Sequence, residues 1–376
     1  MALEERVPIS VSVGGRQRFA AAYRVLEEAI QAQAFPGCAF GVLAGDEIVL
    51  EDALGRLTYE SDAPLVRPET VFDLASVTKV MATTAAAMLL HQRGRLDVDM
   101  PLGYLLPEFT EGRAAADPAR RVTLRHLLAH SSGLPGYVKF FETVSTPESL
   151  IEACLKLKLE EEPETRAEYS DPGFILLGKA LEALMQESLP AWTRREIFEP
   201  LGLRATMFCP PENLRPAIPP TEEDVSFRKR RIQGEVQDEN AWVLGGAAGH
   251  AGLFSNVSDV LRFAREVLDA GGSGERKRWC LFDPDTVEWF AKRQEPSGSS
   301  RALGWDTPSE KSSSGRYFSS HAIGHLGYSG CSLWIDLDAR MAVTLLTNRT
   351  WPDRKNQLIR QVRPAFHDAI RMVLGE

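Results

Sequence analysis

The sequence carries no excess of positive charge: 43 Lys and Arg stand against 52 Asp and Glu, for a formal net charge of −9. Neutralising phosphates needs a basic surface, so nucleic acid is excluded as a partner. Long apolar runs are also missing. A membrane span needs ~18 consecutive apolar residues, and the longest candidate, Val80 to Leu90, is too short and contains Thr83 and Thr84; no membrane association is expected. Cysteines are few, odd in number and scattered, at Cys38, Cys154, Cys209, Cys280 and Cys331, with no C-x-x-C pair. That argues against a disulfide framework or a zinc–thiolate site and for reduced thiols. The N-terminal Met-Ala-Leu-Glu-Glu-Arg-Val-Pro has neither the basic stretch nor the apolar core of a signal peptide, so a cytoplasmic location is expected.

What is present is the composition of a globular protein: 376 residues, 44% hydrophobic and 25% charged, enough for a large core. Residues 16–33 have helical spacing, with Phe19, Tyr23, Leu26 and Ile30 on one face and Pro36-Gly37 as the stop. Cys38–Leu43 and Ile48–Leu54 flank Ala44-Gly45-Asp46, which reads as a hairpin. Ser76 to Arg93 reads as a buried helix closed by Gly94. Helical signals follow: Leu124–His130 with Thr123 as N-cap, Ile175–Met185, and Trp192–Phe198. Residues 209–240 are punctuated by Pro pairs and charge runs and read as a surface excursion, with Arg228-Lys229-Arg230-Arg231 a solvated face. Ser332–Ile335 and Met341–Leu346 form a second hairpin, and the last twenty residues a helix that Pro364 starts or kinks. Strand signals at both ends with helices between them predict an α+β fold. Its antiparallel sheet is built from both termini and flanked by helices, with a mainly helical domain inserted. The expected division is residues 1–80 with 245–376, against 81–244.

The chemistry gathers at three places. Ser76-Val77-Thr78-Lys79 is an S-x-x-K motif at the mouth of an apolar helix. Spacing i, i+3 puts both side chains on one face. A serine hydroxyl needs a neighbour to take its proton, a desolvated lysine can do so, and a helix N-terminus favours an oxyanion. A second match, Ser226 to Lys229, lies in the charged excursion, where nothing would desolvate its lysine. Tyr169-Ser170-Asp171 is the only Y-x-D or Y-x-N in the chain; a tyrosine beside a lysine can act as a base, whereas the plainer reading is a core tyrosine followed by a helix-capping Asp171. His325-Leu326-Gly327 leads directly into strand pattern, and the amide of Tyr328 could join that of Ser76 as an oxyanion hole. The alternative third motif, His250-Ala251-Gly252, precedes a helical run capped by Ser255 or Ser258, so His250 is kept as a residue lining the cleft.

With these motifs the chain resembles the serine β-lactamase-related, penicillin-binding-protein-like superfamily, in its class C, esterase and DD-peptidase branches; S-x-x-K is that group's nucleophile motif. The framing segments Leu96 to Pro101, Val122 to Pro135 and Gly245 to Ser255 match as well, and the resemblance runs from about residue 20 to residue 370. It implies a β-lactamase/transpeptidase-like fold with Ser76 as nucleophile, Lys79 as its partner and Tyr169 as base. Asp171 takes the place of an amide side chain often found there, and His325 with Gly327 forms the third motif. Two departures point away from β-lactam hydrolysis. His325 stands where many β-lactamases have a lysine that grips the substrate carboxylate, and imidazole is mostly neutral near pH 7. Asp171 is acceptor-only and could pair with Lys79.

The expected activity is therefore acyl-enzyme hydrolysis of an ester or amide, on a small-molecule or short-peptide substrate, by a serine hydrolase without a cofactor. A β-lactamase or DD-carboxypeptidase proper is one alternative, and a catalytically silent binding domain on the same fold is the other. His126 and His130, four apart, could mimic a metal pair, but no Glu follows His126 as H-E-x-x-H requires, and a structural role is expected.

Overall fold

The computed structural model describes residues 15–272, 280–310 and 312–375. The N-terminal segment in which no signal peptide was read lies outside the described residues.

A five-stranded antiparallel sheet organises the chain. It comprises β1 (Gly37–Ala44), β2 (Glu47–Gly55), β3 (Ala322–Leu326), β4 (Ser332–Asp336) and β5 (Met341–Thr347), in the order β2-β1-β5-β4-β3. The two hairpins read from sequence are β1–β2 and β4–β5, and β1 pairs with β5 from Cys38 opposite Thr347 to Ala44 opposite Met341. Both termini thus enter one sheet, as expected. The central strands β1 and β5 are almost wholly buried, and they are continuous apolar runs because helices cover both faces.

On one face lie α1 (Ala20–Gln31) and the C-terminal α4 (Ile359–Leu374), which meet through Tyr23, Leu26, Phe366 and Ile370 over Phe40, Val343 and Trp334. Pro364 falls inside α4. On the other face α3 (Val257–Gly271) is started by Asn256, whose side chain accepts from the Asp259 amide at 3.0 Å. It lies close against β1 because Gly41 has no side chain: a Cβ there would stand 2.5 Å from Val257 Cγ1. The core beneath α3 is continuous with that of the helical region, running from Leu43 and Leu333 through Met81 and Leu89 to Leu127, Phe174 and Leu177. Within that region α2 (Asp171–Met185) is buried along most of its length.

Three readings need correction. The segment from Ser76 to Arg93 is not one regular helix. It passes from a 3₁₀ turn (Ala75–Val77) through a π-helical stretch (Lys79–Thr84) into an α-helix (Ala85–Gln92), and Gly94 at φ +66° ends it. The chain enters this turn with Ala75 in the left-handed region, φ +46°, and Thr78 Oγ1 donates back to the Ala75 carbonyl at 2.6 Å. Residues 209–240 are not simply a surface excursion. They contain an antiparallel pair, Pro220–Asp224 with Arg230–Gln233, whose first strand is mostly buried. The basic run is split: Arg228 is buried against Asp224 at 3.0 Å and donates to the Val236 and Gln237 carbonyls, whereas Arg230 and Arg231 are exposed and pair with Glu235 and Glu223. Finally, Leu253–Ser255 is a short strand against Phe72–Asp73, and the cap that follows is Asn256, not Ser255 or Ser258.

Candidate active site

Strand Phe72–Asp73 and the turn after it present Ser76 at a cleft of about 680 Å3. The turn is tied down on several sides. Buried Asp73 accepts from the Ala75 amide at 2.8 Å and from the Gln237 amide at 2.7 Å, so the 209–240 segment is bound to the Ser76 turn. The Leu74 amide donates to the Leu253 carbonyl, and the Leu253 amide donates to Thr78 Oγ1.

Lys79, one helical turn on, is fully buried. Its Nζ lies 3.1 Å from Ser76 Oγ, 2.6 Å from Asp171 Oδ1 and 3.2 Å from the His250 carbonyl. Burial alone would lower its pKa, but the Asp171 carboxylate, together with Tyr169, outweighs that and holds the ammonium above its ordinary range. Asp171 opens α2 and Ser170 caps it, accepting from the Gly173 amide at 3.0 Å. Asp171 is therefore not the cap. Nor does it serve as an oxyanion donor: a carboxylate only accepts, and this one is engaged with Lys79. The pairing anticipated from the Asp-for-amide exchange is the one the chain makes.

Tyr169 is brought to the same point. Its ring centroid is 4.7 Å from Lys79 Nζ and its hydroxyl interacts with both Lys79 and Ser76. Burial pushes the phenol above its usual range, against the pull of the Lys79 charge. The His130 ring is tilted against that of Tyr169 at 4.6 Å between centroids; its Nδ1 accepts from the Ser170 amide at 3.0 Å and its carbonyl from the Glu168 amide at 2.9 Å, which fixes the chain on either side of the tyrosine. His126 instead spans the Thr123 amide and Glu164, so the two imidazoles have separate structural partners. Among the described residues no group of three or more His, Cys, Asp or Glu could hold a metal ion.

The third motif forms the opposite wall. His325, Leu326, Gly327 and Tyr328 all line the cleft with Ser76. Gly327 is needed there: a Cβ at this position would stand 2.4 Å from the Leu74 carbonyl, so only glycine lets the end of β3 close on the Ser76 turn. The imidazole of His325 is buried, and its Nδ1 donates to the Leu326 carbonyl at 2.8 Å, leaving Nε2 the acceptor. Burial, with Lys79 and Arg301 nearby, holds its pKa well below the ordinary value, so the ring is neutral. His250 does not line the cleft. It is buried behind it, its Nε2 2.8 Å from Asp238, and it is Asp238 that reaches the cleft.

Several cleft residues were missed from sequence. The Arg301 guanidinium lies over the Tyr169 ring at 5.4 Å, and Gln237, Glu239, Arg349, Arg354 and Arg363 are among the other residues lining the cleft. None sits in a motif; Glu239 opens a short helix, Glu239–Val243, Arg363 lies on α4 and the others come from irregular segments, so only the folded chain brings them to Ser76.

The sequence model of the family described as Beta-lactamase matches residues 23–365. The chain is 32% identical over 357 residues to an N-acetylmuramyl-L-alanine amidase of Bacillus subtilis (strain 168), covering 85% of this chain and 78% of the relative. It is 30% identical over 350 residues to the "Putative D-alanyl-D-alanine carboxypeptidase" of Salmonella agona (strain SL483), covering 84% and 79%. Among solved structures it superposes on EstCE1, a hydrolase with promiscuous acyltransferase activity, with a TM-score of 0.73 at 22% identity over 95% of this chain and 100% of the other. It also superposes on a penicillin-binding protein homolog from Caulobacter crescentus, with a TM-score of 0.73 at 18% identity over 98% and 99%. At these identities the two structures speak for the fold. No helix among the described residues is long and apolar enough to cross a membrane.

Proposed function

The chain belongs to the beta-lactamase family of hydrolases, and on that premise we propose that Ser76 is its acylated nucleophile, acting on the amide or ester bond of a short peptide-like substrate. The observation that carries this is the position of Lys79 Nζ, 3.1 Å from Ser76 Oγ and 2.6 Å from Asp171 Oδ1. Because the carboxylate keeps Lys79 protonated, the lysine accepts the serine proton only by passing one of its own onward to Asp171, the acceptor 2.6 Å away. The resting group is thus Tyr169 neutral, Lys79 cationic and Asp171 anionic. Ser76 attacks the carbonyl carbon as its proton enters this group, and the amides of Ser76 and Tyr328 receive the oxyanion. The same group returns the proton to the leaving atom, and water then repeats the sequence to release the acyl group.

The names of the relatives favour an amide substrate, and a D-alanyl peptide or a muramyl-alanine amide is the first to try. The neutral His325 favours a second reading, an ester whose acyl part carries no carboxylate for a cation to grip. A panel of D-alanyl-D-alanine peptides, a muramyl-L-alanine amide, a penicillin and short-chain esters, each run with wild type and Ser76→Ala, separates these. Turnover of one class that disappears in the variant identifies the substrate. Turnover that survives in the variant refutes Ser76, and binding without turnover across the panel supports the silent domain instead. The buried thiols of Cys38, Cys154 and Cys331 suit a reducing compartment, and we assign the chain to the cytoplasm on that ground. Cell fractionation tests this, and recovery in the exported fraction would overturn it.

A further inference from the structure

The turn that follows β3, Gly327 to Cys331, is held by two arginines that the reaction scheme above does not use. Arg363, on the inner side of α4, donates to the carbonyls of Gly327 at 2.5 Å, Cys331 at 2.8 Å and Gly330 at 3.1 Å. Arg349 donates from Nε to the Tyr328 carbonyl at 2.7 Å, and its main-chain amide reaches the Ser329 carbonyl at 2.8 Å. Every carbonyl of the turn is therefore occupied. Both arginines are buried, at 6% and 4% exposure, and their side chains bond carbonyls, with no carboxylate partner among the described residues. An unneutralised guanidinium is costly to bury, and here two stand beside one five-residue turn. Burial pushes Arg363 down to about 9, still cationic at neutral pH.

A trans peptide is planar, with its C=O and N–H pointing in opposite directions. The Gly327–Tyr328 bond is trans, so a guanidinium that fixes the Gly327 carbonyl also fixes the Tyr328 N–H on the other side of that plane. The turn is pinned to the Ser76 strand as well: Ser329 Oγ donates to the Asp73 carbonyl at 2.7 Å. We propose that Arg363 is a positioning residue for the oxyanion hole, aiming the Tyr328 amide at the carbonyl under attack and keeping an uncompensated positive charge behind it. The inference rests on the serine-hydrolase reading above and deepens it. A charge left unpaired in the resting protein gains a counter-charge only as the oxyanion forms, so its effect falls on the chemical step rather than on substrate binding.

The test uses the full chain as wild type, Arg363→Lys and Arg363→Met, with a chromogenic ester and with phenylboronic acid, which forms a tetrahedral anionic adduct on a nucleophilic serine. In Arg363→Met, kcat should fall ~10²-fold, the order for loss of one oxyanion donor, with KM changed less than about twofold. Boronate affinity should fall in parallel, and Arg363→Lys should recover part of both. Folded variants that keep wild-type kcat and boronate affinity overturn the proposal. So does a fall in kcat that leaves boronate affinity untouched, since that marks a merely structural role. If Arg363→Met does not fold, Arg363→Lys decides: reduced kcat and boronate affinity at a native urea midpoint support the proposal, and wild-type values overturn it. A wild type that neither turns over the ester nor binds the boronate overturns the serine-hydrolase reading and this inference with it.

Discussion

Replacing Asp171 by Asn removes the only carboxylate within 4 Å of Lys79 among the described residues and leaves a buried ammonium without its counter-charge. Removing one partner of a buried pair typically costs ~3–5 kcal/mol. Here the cost has a ceiling, because Lys79 can shed its proton instead. From the ordinary 10.5, neutralising a lysine at pH 7 costs about 5 kcal/mol, at about 1.4 kcal/mol per pH unit. The sign follows from linkage. With Asp171 gone, burial, the largest single influence on Lys79, is opposed by Tyr169, and the expected folded-state pKa falls below 10.5; above that folded value the unfolded chain binds more protons and stability rises with pH. In the wild type Asp171 holds Lys79 above 10.5, and no such gain occurs below pH 10. Asp171→Asn should therefore be less stable than wild type by about 3–5 kcal/mol at pH 7, and the gap should narrow by up to about 1.4 kcal/mol per unit towards pH 9. Urea unfolding of both proteins at pH 7, 8 and 9 measures it. A variant as stable as wild type, or a gap that does not change with pH, would refute the idea that Asp171 is what keeps Lys79 charged.

Three further outcomes are expected. Tyr169→Phe should lower kcat by ~10²–10⁴ with little change in the urea midpoint, and an unchanged kcat in steady-state assays would exclude the phenol from proton transfer. Gly327→Ala would put a Cβ 2.4 Å from the Leu74 carbonyl. It should separate the β3 turn from Ser76 and reduce kcat by ~10²-fold; a variant of wild-type activity would show that this close approach is dispensable. Asp73 is pushed by burial up to about 6, from 3.8, so its folded state holds a proton more tightly than the unfolded chain. Wild type should then lose about 3 kcal/mol relative to Asp73→Asn as pH rises from 4 to 7, and a stability difference constant over that range would contradict it.

The sheet and its two hairpins were legible because strand signals are local. Ala44-Gly45-Asp46 and Asp336 to Arg340 are turns bounded by apolar runs, and the register follows from them. Ser76 and Lys79 were legible because their i, i+3 spacing encodes a short distance, whereas Tyr169 and Gly327, far from Ser76 in the chain, were placed beside it only by the resemblance of their motifs. What failed did so for non-local reasons. The strand after His250 depends on a pairing with Phe72–Asp73 some 180 residues away, and Asp238 reaches the cleft beside Gln237, whose amide is bound to that same Asp73. Arg228 looked like part of a solvated run because its partners, Asp224 and the carbonyls of Val236 and Gln237, meet it only when the 220–233 hairpin folds. Arg363 looked like the polar face of a C-terminal helix, and nothing in helical periodicity marks it as facing a turn 32–36 residues earlier in the chain. The 3₁₀ and π-helical irregularities around Ser76 leave no compositional trace, since Ala, Val, Met and Thr there suit a regular buried helix equally well.

The central claim is that Ser76 becomes covalently acylated. Mass spectrometry of the intact protein, quenched during turnover of a slowly released ester and then mapped by peptides, tests it directly. The account predicts a mass increase of one acyl group on the peptide containing Ser76 in wild type, and none in Ser76→Ala. An adduct on any other residue, or turnover by Ser76→Ala equal to that of wild type, would contradict it.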